Sequence, residues 1–187
     1  MTRQELITWL RGMLGWLGFE ATGIEAWSQE QLQRYAVQVW HWLQQATVDA
    51  LVMVESAGDP DAHRPGSQFY GLLQMGKAAG IDVGINDTSS LLGRPNAAVQ
   101  AFWDYQKRYE ERTGGHPFWM AVLWHDGPGN LRKIQRAMDG GASFAEALTR
   151  GTDAMPEYFS RYEGWMRKIA AGFDVAQVVR DKMAGVV

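Results

Sequence analysis

The 187-residue chain has no cysteine, which excludes disulfide bridges and cysteine-ligated zinc from any account of its stability. It also has no run of about 18 uncharged apolar residues, so no segment reads as a transmembrane helix. Charge of one sign is lacking too. Lys and Arg number 18 against 21 Asp and Glu, and a formal net charge of -3 gives no general attraction for nucleic acid. There is no P-loop, dinucleotide fingerprint, His-x-x-x-His pair, internal repeat or low-complexity tract, so phosphate-cradling and zinc-peptidase chemistry have no foothold. Arg3 suits the start of an export signal, but Glu5 and Arg11 interrupt the apolar stretch and no small-residue cleavage site follows. The expectation is a chain made in the cytoplasm without a signal peptide.

What the chain has instead is helical periodicity and aromatic weight, with nine tryptophans. Its length suits a single domain with a proper core. Residues 3–18 place Leu6, Leu10, Met13, Leu14 and Leu17 on one stripe. Gly12, Gly15 and Gly18 weaken that helix by about 1 kcal/mol each relative to Ala, so it needs a surface to pack on. Packing on the rest of the chain is the first expectation, and contact of residues 1–18 with a membrane surface is the second, because basic residues are few on the polar face. Ser28 and Gln31 form a capping box, and Leu32, Ala36, Val39, Leu43, Ala46, Ala50, Leu51 and Val54 continue on one stripe to Ser56. The stripe suits one long helix or two helices broken near Thr47. Further helices are expected over 95–112, from Pro117 to a stop at Asp126-Gly127-Pro128-Gly129, around Leu131 to Met138, after a second capping box at Ser143 and Glu146, over 155–171 and over 175–183. Residues 76–93 are glycine-rich and read as irregular structure with at most one turn of helix, suited to part of a cleft wall. The fold class is therefore all-α with at most a very small β element near Tyr70 to Met75. The domain reading is an N-terminal amphipathic helix and connector at 1–27, packed on or appended to a domain at 28–187.

Residues 48–75 stand apart. They bring a lone carboxylate, Glu55, to the end of a strongly apolar helix, one residue beyond its buried stripe. A carboxyl half removed from water disfavours its charged form, so its pKa rises toward the range in which a general acid works. Gly58 and Pro60 end the helix just after Glu55 and Ser56, a polar loop follows, and Tyr70-Gly71-Leu72-Leu73-Gln74-Met75 reads as a short extended segment returning to the core.

Three groups of residues, Glu55-Ser56, Asp59-Pro60-Asp61-Ala62 and Gly71-Leu72-Leu73-Gln74, occur in the order and near-spacing of motifs in the soluble lytic transglycosylases, which are related to goose-type lysozymes. The stretch Ala121-Val122-Leu123-Trp124-His125-Asp126-Gly127-Pro128-Gly129 resembles that family's Ala-Ala-Tyr-Asn-Ala-Gly-Pro-Gly. The resemblance covers roughly residues 46–170. It departs in two ways: Trp124-His125 replaces Tyr-Asn, and the loop before Gly71 is about one residue longer.

The resemblance implies a lysozyme-like fold and cleavage of the bond between N-acetylmuramic acid and N-acetylglucosamine in peptidoglycan glycan strands. It implies no metal and no cofactor. Glu55 would first protonate the leaving oxygen and then take a proton from the muramic acid 6-hydroxyl, which closes a 1,6-anhydro ring. Ser56 would orient the carboxyl or a substrate group, Tyr70, Leu73, Gln74 and Trp124 would line the cleft, and His125 and Tyr162 would contact the acetamido group or steady Glu55. Tyr158 is the alternative to Tyr162. A hydrolytic muramidase that uses Asp59, Asp61 or Asp126 to hold a water is the rival enzyme, and a wall-binding virion protein without catalysis is the rival from another class. With no export signal expected, a monomeric phage endolysin acting on periplasmic peptidoglycan is the leading setting and a virion-associated enzyme the second.

Overall fold

The structure, a computed structural model, describes residues 1–185; the last two positions of the 28–187 domain reading lie outside the described residues. The fold is all-α with one short hairpin. Helices α1 (Arg3–Leu17) and α2 (Gln29–Ser56) are followed by the hairpin β1 (Phe69–Tyr70) and β2 (Met75–Gly76). Then come α3 (Lys77–Asp82), α4 (Pro95–Arg108), α5 (Glu110–Thr113), α6 (Pro117–Asp139), α7 (Phe144–Leu148), α8 (Met155–Ala170) and α9 (Val175–Met183).

Helix α2 is the axis of the domain. Its start is fixed by the expected box, in which Ser28 Oγ accepts from the Gln31 N–H at 3.2 Å and Gln31 Oε1 accepts from the Ser28 N–H at 2.8 Å. It runs unbroken through Thr47, whose hydroxyl donates back to the Leu43 carbonyl at 2.8 Å and so is satisfied inside the core. Over its last three turns nearly every side chain from Ala46 to Val54 is buried, because α1, α6, α8 and α9 all pack against it. Such a helix is apolar almost all round. The stop differs from the expectation in detail: Ala57 takes the first left-handed residue (φ 54°) and Gly58 the second (φ 84°). Gly58 is required there also because a Cβ would lie 2.7 Å from Val178 of α9.

Helix α1 buries Leu6, Ile7, Leu10, Met13 and Leu17 in the common core. Trp16 Nε1 donates to Glu163 at 2.7 Å and Arg167 donates to the Trp16 carbonyl at 3.1 Å, which tie α1 to α8. Residues 1–27 are thus packed on the rest of the chain, and the stripe that a membrane surface would have taken is already covered. Among the described residues no helix is long and apolar enough to cross a membrane.

Three expectations are corrected. The helix from Pro117 does not stop at Asp126 but kinks: Gly127 has φ 72° and ψ 175°, and Pro128 opens the second half, where its missing N–H costs nothing. The helix expected over 95–112 is split at Tyr109 (φ -112°, ψ 18°) into α4 and α5. The stretch 76–93 is ordered as α3 and a 3-10 turn, Thr88–Leu91, since Gly80 lets Thr88 and Ile85 approach closer than any side chain would allow.

Leu10 is fully buried between α1 and the core. Leu10→Ala is expected to lower the unfolding free energy by about 2–5 kcal/mol, read from the midpoint of urea denaturation. An unchanged midpoint would mean that α1 does not contribute to the folded domain.

Candidate active site

Glu55 sits in the last turn of α2, half-buried. Helix α8 crosses α2 with the opposite chain direction, so Tyr162 meets Thr47 in mid-helix while Tyr158, one turn earlier on the same face, meets the helix end. The Tyr158 hydroxyl donates to Glu55 Oε1 at 2.6 Å. Arg161, one turn along, donates to the Val54 carbonyl at 2.8 Å and places a cation at the negative end of α2. Burial pushes the Glu55 carboxyl above its ordinary value, and the Tyr158 hydrogen bond, His125 and Arg161 oppose that rise without cancelling it. Tyr158 is itself pushed well up, first by burial and then by the Glu55 charge, so its hydroxyl keeps its proton and stays a donor.

The loop after α2 is tied to the hairpin through one carbonyl. Ala62 O accepts from the Gly71 N–H at 2.9 Å and from Gln74 Nε2 at 2.8 Å. This links the second and third of the groups singled out in the sequence. Asp59 holds the loop turn by accepting from the Asp61 N–H at 2.9 Å. Gly71 has φ 74°, and a Cβ there would stand 3.0 Å from the Leu91 carbonyl, so the position admits only glycine without strain. Gln74 is one of two non-glycine residues with positive φ among the described residues, at 50°. Its amide also donates to the Gly71 carbonyl at 2.9 Å, which holds the strained turn closed beside Glu55.

Two clefts adjoin here, and Glu55 lines the smaller. The smaller, about 320 Å³, is lined by Glu55, Arg64, Ser67, Phe69, Gln74, Trp124 and His125. The larger, about 720 Å³, shares Ser67, Phe69, Gln74, Trp124 and His125 and extends past Lys77, Asp82 and Tyr105 to Pro128. Phe69 is 54% exposed and lies over Gly76, where a Cβ would come within 2.8 Å of its ring. Trp124 is fixed by donating Nε1–H to the Leu73 carbonyl at 3.1 Å and by packing against Phe102 and Tyr105. The groove therefore offers aromatic faces beside a protonatable carboxyl, a combination suited to the apolar faces of sugar rings.

On the far wall, His125 Nδ1 is 2.7 Å from Asp126 Oδ1. Asp126 in turn accepts from the Thr152 N–H at 2.8 Å and the Thr152 hydroxyl at 2.6 Å. Burial pushes Asp126 up, but the bonds from His125 and Thr152 outweigh it and hold the carboxyl below its ordinary value. The His125 ring packs on Tyr158 with centroids 3.9 Å apart, so one tyrosine touches both Glu55 and His125.

Of the residues expected in the cleft, Glu55, Gln74, Trp124 and His125 are brought together there. Four others are placed differently. Tyr162 is fully buried, its hydroxyl 3.0 Å from Thr47 Oγ1, and the alternative, Tyr158, reaches Glu55; the two are one helical turn apart, and only the crossing of α8 over α2 separates them. Ser56 turns its hydroxyl back to the Val52 carbonyl at 3.1 Å and has no hydrogen bond to Glu55. Leu73 is buried and its carbonyl is occupied by Trp124. Tyr70 stacks on His63 with centroids 4.5 Å apart and lines neither cleft. Strand alternation gives that role to its neighbour Phe69. Phe69, Arg64, Ser67 and Arg161 were not expected from the sequence. An exposed aromatic beside a glycine-rich turn was the available signal for Phe69; nothing local marked the other three.

Comparison of the chain with models of protein families, with curated proteins and with solved structures gives no match.

The raised pKa of Glu55 has a consequence for stability. An unfolded chain releases this proton near the ordinary glutamate value of about 4.3, whereas the folded protein holds it to higher pH. Between those two values the folded state binds more protons, so stability falls as pH rises through the window. Glu55→Gln removes the term. The melting temperature of the variant relative to wild type is expected to climb between about pH 4 and the folded pKa and to be level on either side. A difference that stays flat across that range would place Glu55 at its unperturbed value.

Proposed function

We propose that the protein is a peptidoglycan lytic transglycosylase with Glu55 as its general acid. The observation that carries the reading is the placement of Glu55: a carboxyl with a raised pKa, held by Tyr158, in an aromatic-lined cleft that adjoins a larger one. The sequence resemblance supplies the chemistry, and the geometry supports it at three points.

First, a general acid must be protonated at working pH and directed at the leaving oxygen. Tyr158 occupies Oε1 of Glu55, which leaves Oε2 to carry the proton toward the cleft. Second, direct hydrolysis by a pair of carboxylates needs one that is free to hold water. Asp59 and Asp61 line neither cleft, and both oxygens of Asp126 are engaged by His125 and Thr152. Asp82, on the larger cleft, accepts from the Tyr109 hydroxyl at 2.7 Å. Third, a substrate whose acetamido group stabilises the developing cation needs no second carboxylate. The muramic acid residue brings both that group and a 6-hydroxyl able to close on the reacting carbon. Glycan strands of peptidoglycan, extended and rich in acetamido groups, suit an aromatic-lined cleft that continues into a larger one beside the acid. The setting that accords with this reading is phage-induced lysis, with release of the enzyme to periplasmic peptidoglycan.

Two measurements test it. Glu55→Gln is expected to fold and to lose about 100- to 10,000-fold of its lytic rate on purified peptidoglycan, since the amide cannot deliver the proton. Mass spectrometry of the wild-type products is expected to find 1,6-anhydro-muropeptides, lighter by one water than reducing-end products. Reducing ends that carry heavy oxygen from labelled water would replace the transglycosylase reading with a muramidase. Absence of lysis by the wild-type protein would leave a wall-binding role.

A further inference from the structure

Among the groups that the proposed chemistry leaves unused, the Asp126–His125 pair is the most completely built. Asp126 is closed off from solvent and receives two hydrogen bonds from Thr152, across a loop that comes close only because Gly151 has no Cβ to strike the carboxylate. An anion can only accept, so His125 Nδ1 carries a proton and donates it to Asp126. In its neutral form the ring presents Nε2 as an acceptor. Nε2 has no hydrogen-bond partner among the described residues and is not a buried orphan. The ring lines both clefts, with its plane set by contact with Tyr158. A buried carboxylate that fixes the tautomer and steadies the imidazolium is the arrangement that makes a histidine a general base.

We infer that His125, oriented by Asp126 and Thr152, is the base that takes the proton of the substrate's 6-hydroxyl, so that the acid and base steps fall to two residues rather than to Glu55 alone. The inference rests on the transglycosylase reading. In the balanced step, Glu55 gives its proton to the glycosidic oxygen as the bond from that oxygen to the reacting carbon breaks. The 6-oxygen then bonds to that carbon, and its proton passes to His125 Nε2. The enzyme is left with a Glu55 carboxylate and a His125 imidazolium, which reset by proton exchange with solvent. The division has a geometric reason: Nε2 of His125 has no partner among the described residues, whereas Oε1 of Glu55 already accepts from Tyr158. Asp126 and Thr152 are positioning residues here.

The groups that face His125 and enter its pH response are Glu55 on α2, Tyr158 on α8, Arg64 on the loop and Asp126 on its own helix. Lys77, Asp82 and Tyr105 lie across the larger cleft. The wild-type rate is expected to fall at high pH as Glu55 ionises.

The test is lysis of purified peptidoglycan by the full chain over a pH series, with product analysis. His125→Gln is expected to lose about 100-fold or more, to retain 1,6-anhydro products in its residual activity, and to keep the high-pH fall that belongs to Glu55. Asp126→Asn gives a second readout. The Thr152 N–H can only donate, so the amide oxygen must face it and the amide NH₂ must face His125 Nδ1. That moves the ring proton to Nε2, visible in the nitrogen chemical shifts of His125, with a rate loss of similar size. Anhydro products together with a His125→Gln rate within threefold of wild type would overturn the inference and leave the transglycosylase reading standing. Labelled reducing-end products from wild type would overturn that reading and this step with it.

Discussion

The hydrogen bond from Tyr158 to Glu55 is the contact on which the site depends, and it exists because α8 crosses α2 at one particular register. The register is set far from the cleft. Tyr162 and Thr47, both fully buried, pair their hydroxyls in the middle of α2, and each also reaches a backbone carbonyl, Thr47 that of Leu43 and Tyr162 that of Pro117, so both are satisfied inside the core. With that pair fixed, a rigid helix carries Tyr158 to the end of α2 and Arg161 to the Val54 carbonyl. The core thus acts as a gauge for the active site: its one buried polar contact between these helices decides where the functional hydroxyl lands.

Glu55 illustrates why such a site is placed at a helix end and not in a helix centre. Burial raises the pKa of a carboxyl without limit if nothing opposes it, and a proton that never leaves is useless to a general acid. At the end of α2 the apolar stripe supplies the burial on one side, while Tyr158, Arg161 and the His125 wall supply opposing terms on the other. The result is a group that is protonated more readily than an ordinary glutamate yet can still ionise. A helix centre packed on all sides, as nearly all of Ala46 to Val54 is, offers mainly the first of these.

Much of this was legible in the sequence, and the boundary of legibility is physical. Helix existence followed from periodicity, and both capping boxes, at Ser28 and Ser143, formed as read. Glu55 was found because it stood one residue off a long apolar stripe, which is a local fact. Tyr158 and Tyr162 share a helix face, so no periodicity argument separates them; the choice depends on how two helices cross. Tyr70 and Phe69 were exchanged for a related reason, since a two-residue strand is too short to reveal its own alternation and a slip of one residue reverses the faces. Gly127 was read as a stop when it is a bend, because the sequence that ends one helix with glycine also begins the next with proline.

That bend has a further effect on the chemistry of the groove. An unbroken α6 would carry the chain past Asp126 along a straight axis and keep its last side chains within the helix's own hydrogen-bonding pattern. The turn at Gly127 instead brings the carboxylate of Asp126 to the loop before α8, where the Thr152 N–H and hydroxyl are waiting. Thr152 precedes Met155, where α8 starts, so the same short loop that anchors Asp126 also begins the helix that delivers Tyr158. His125 and Glu55 are therefore not positioned independently: the wall that holds the imidazole and the helix that holds the carboxyl share a starting point. Any substitution that moves residues 151–154 shifts both groups together, and the distance between acid and histidine is protected better than the position of either one.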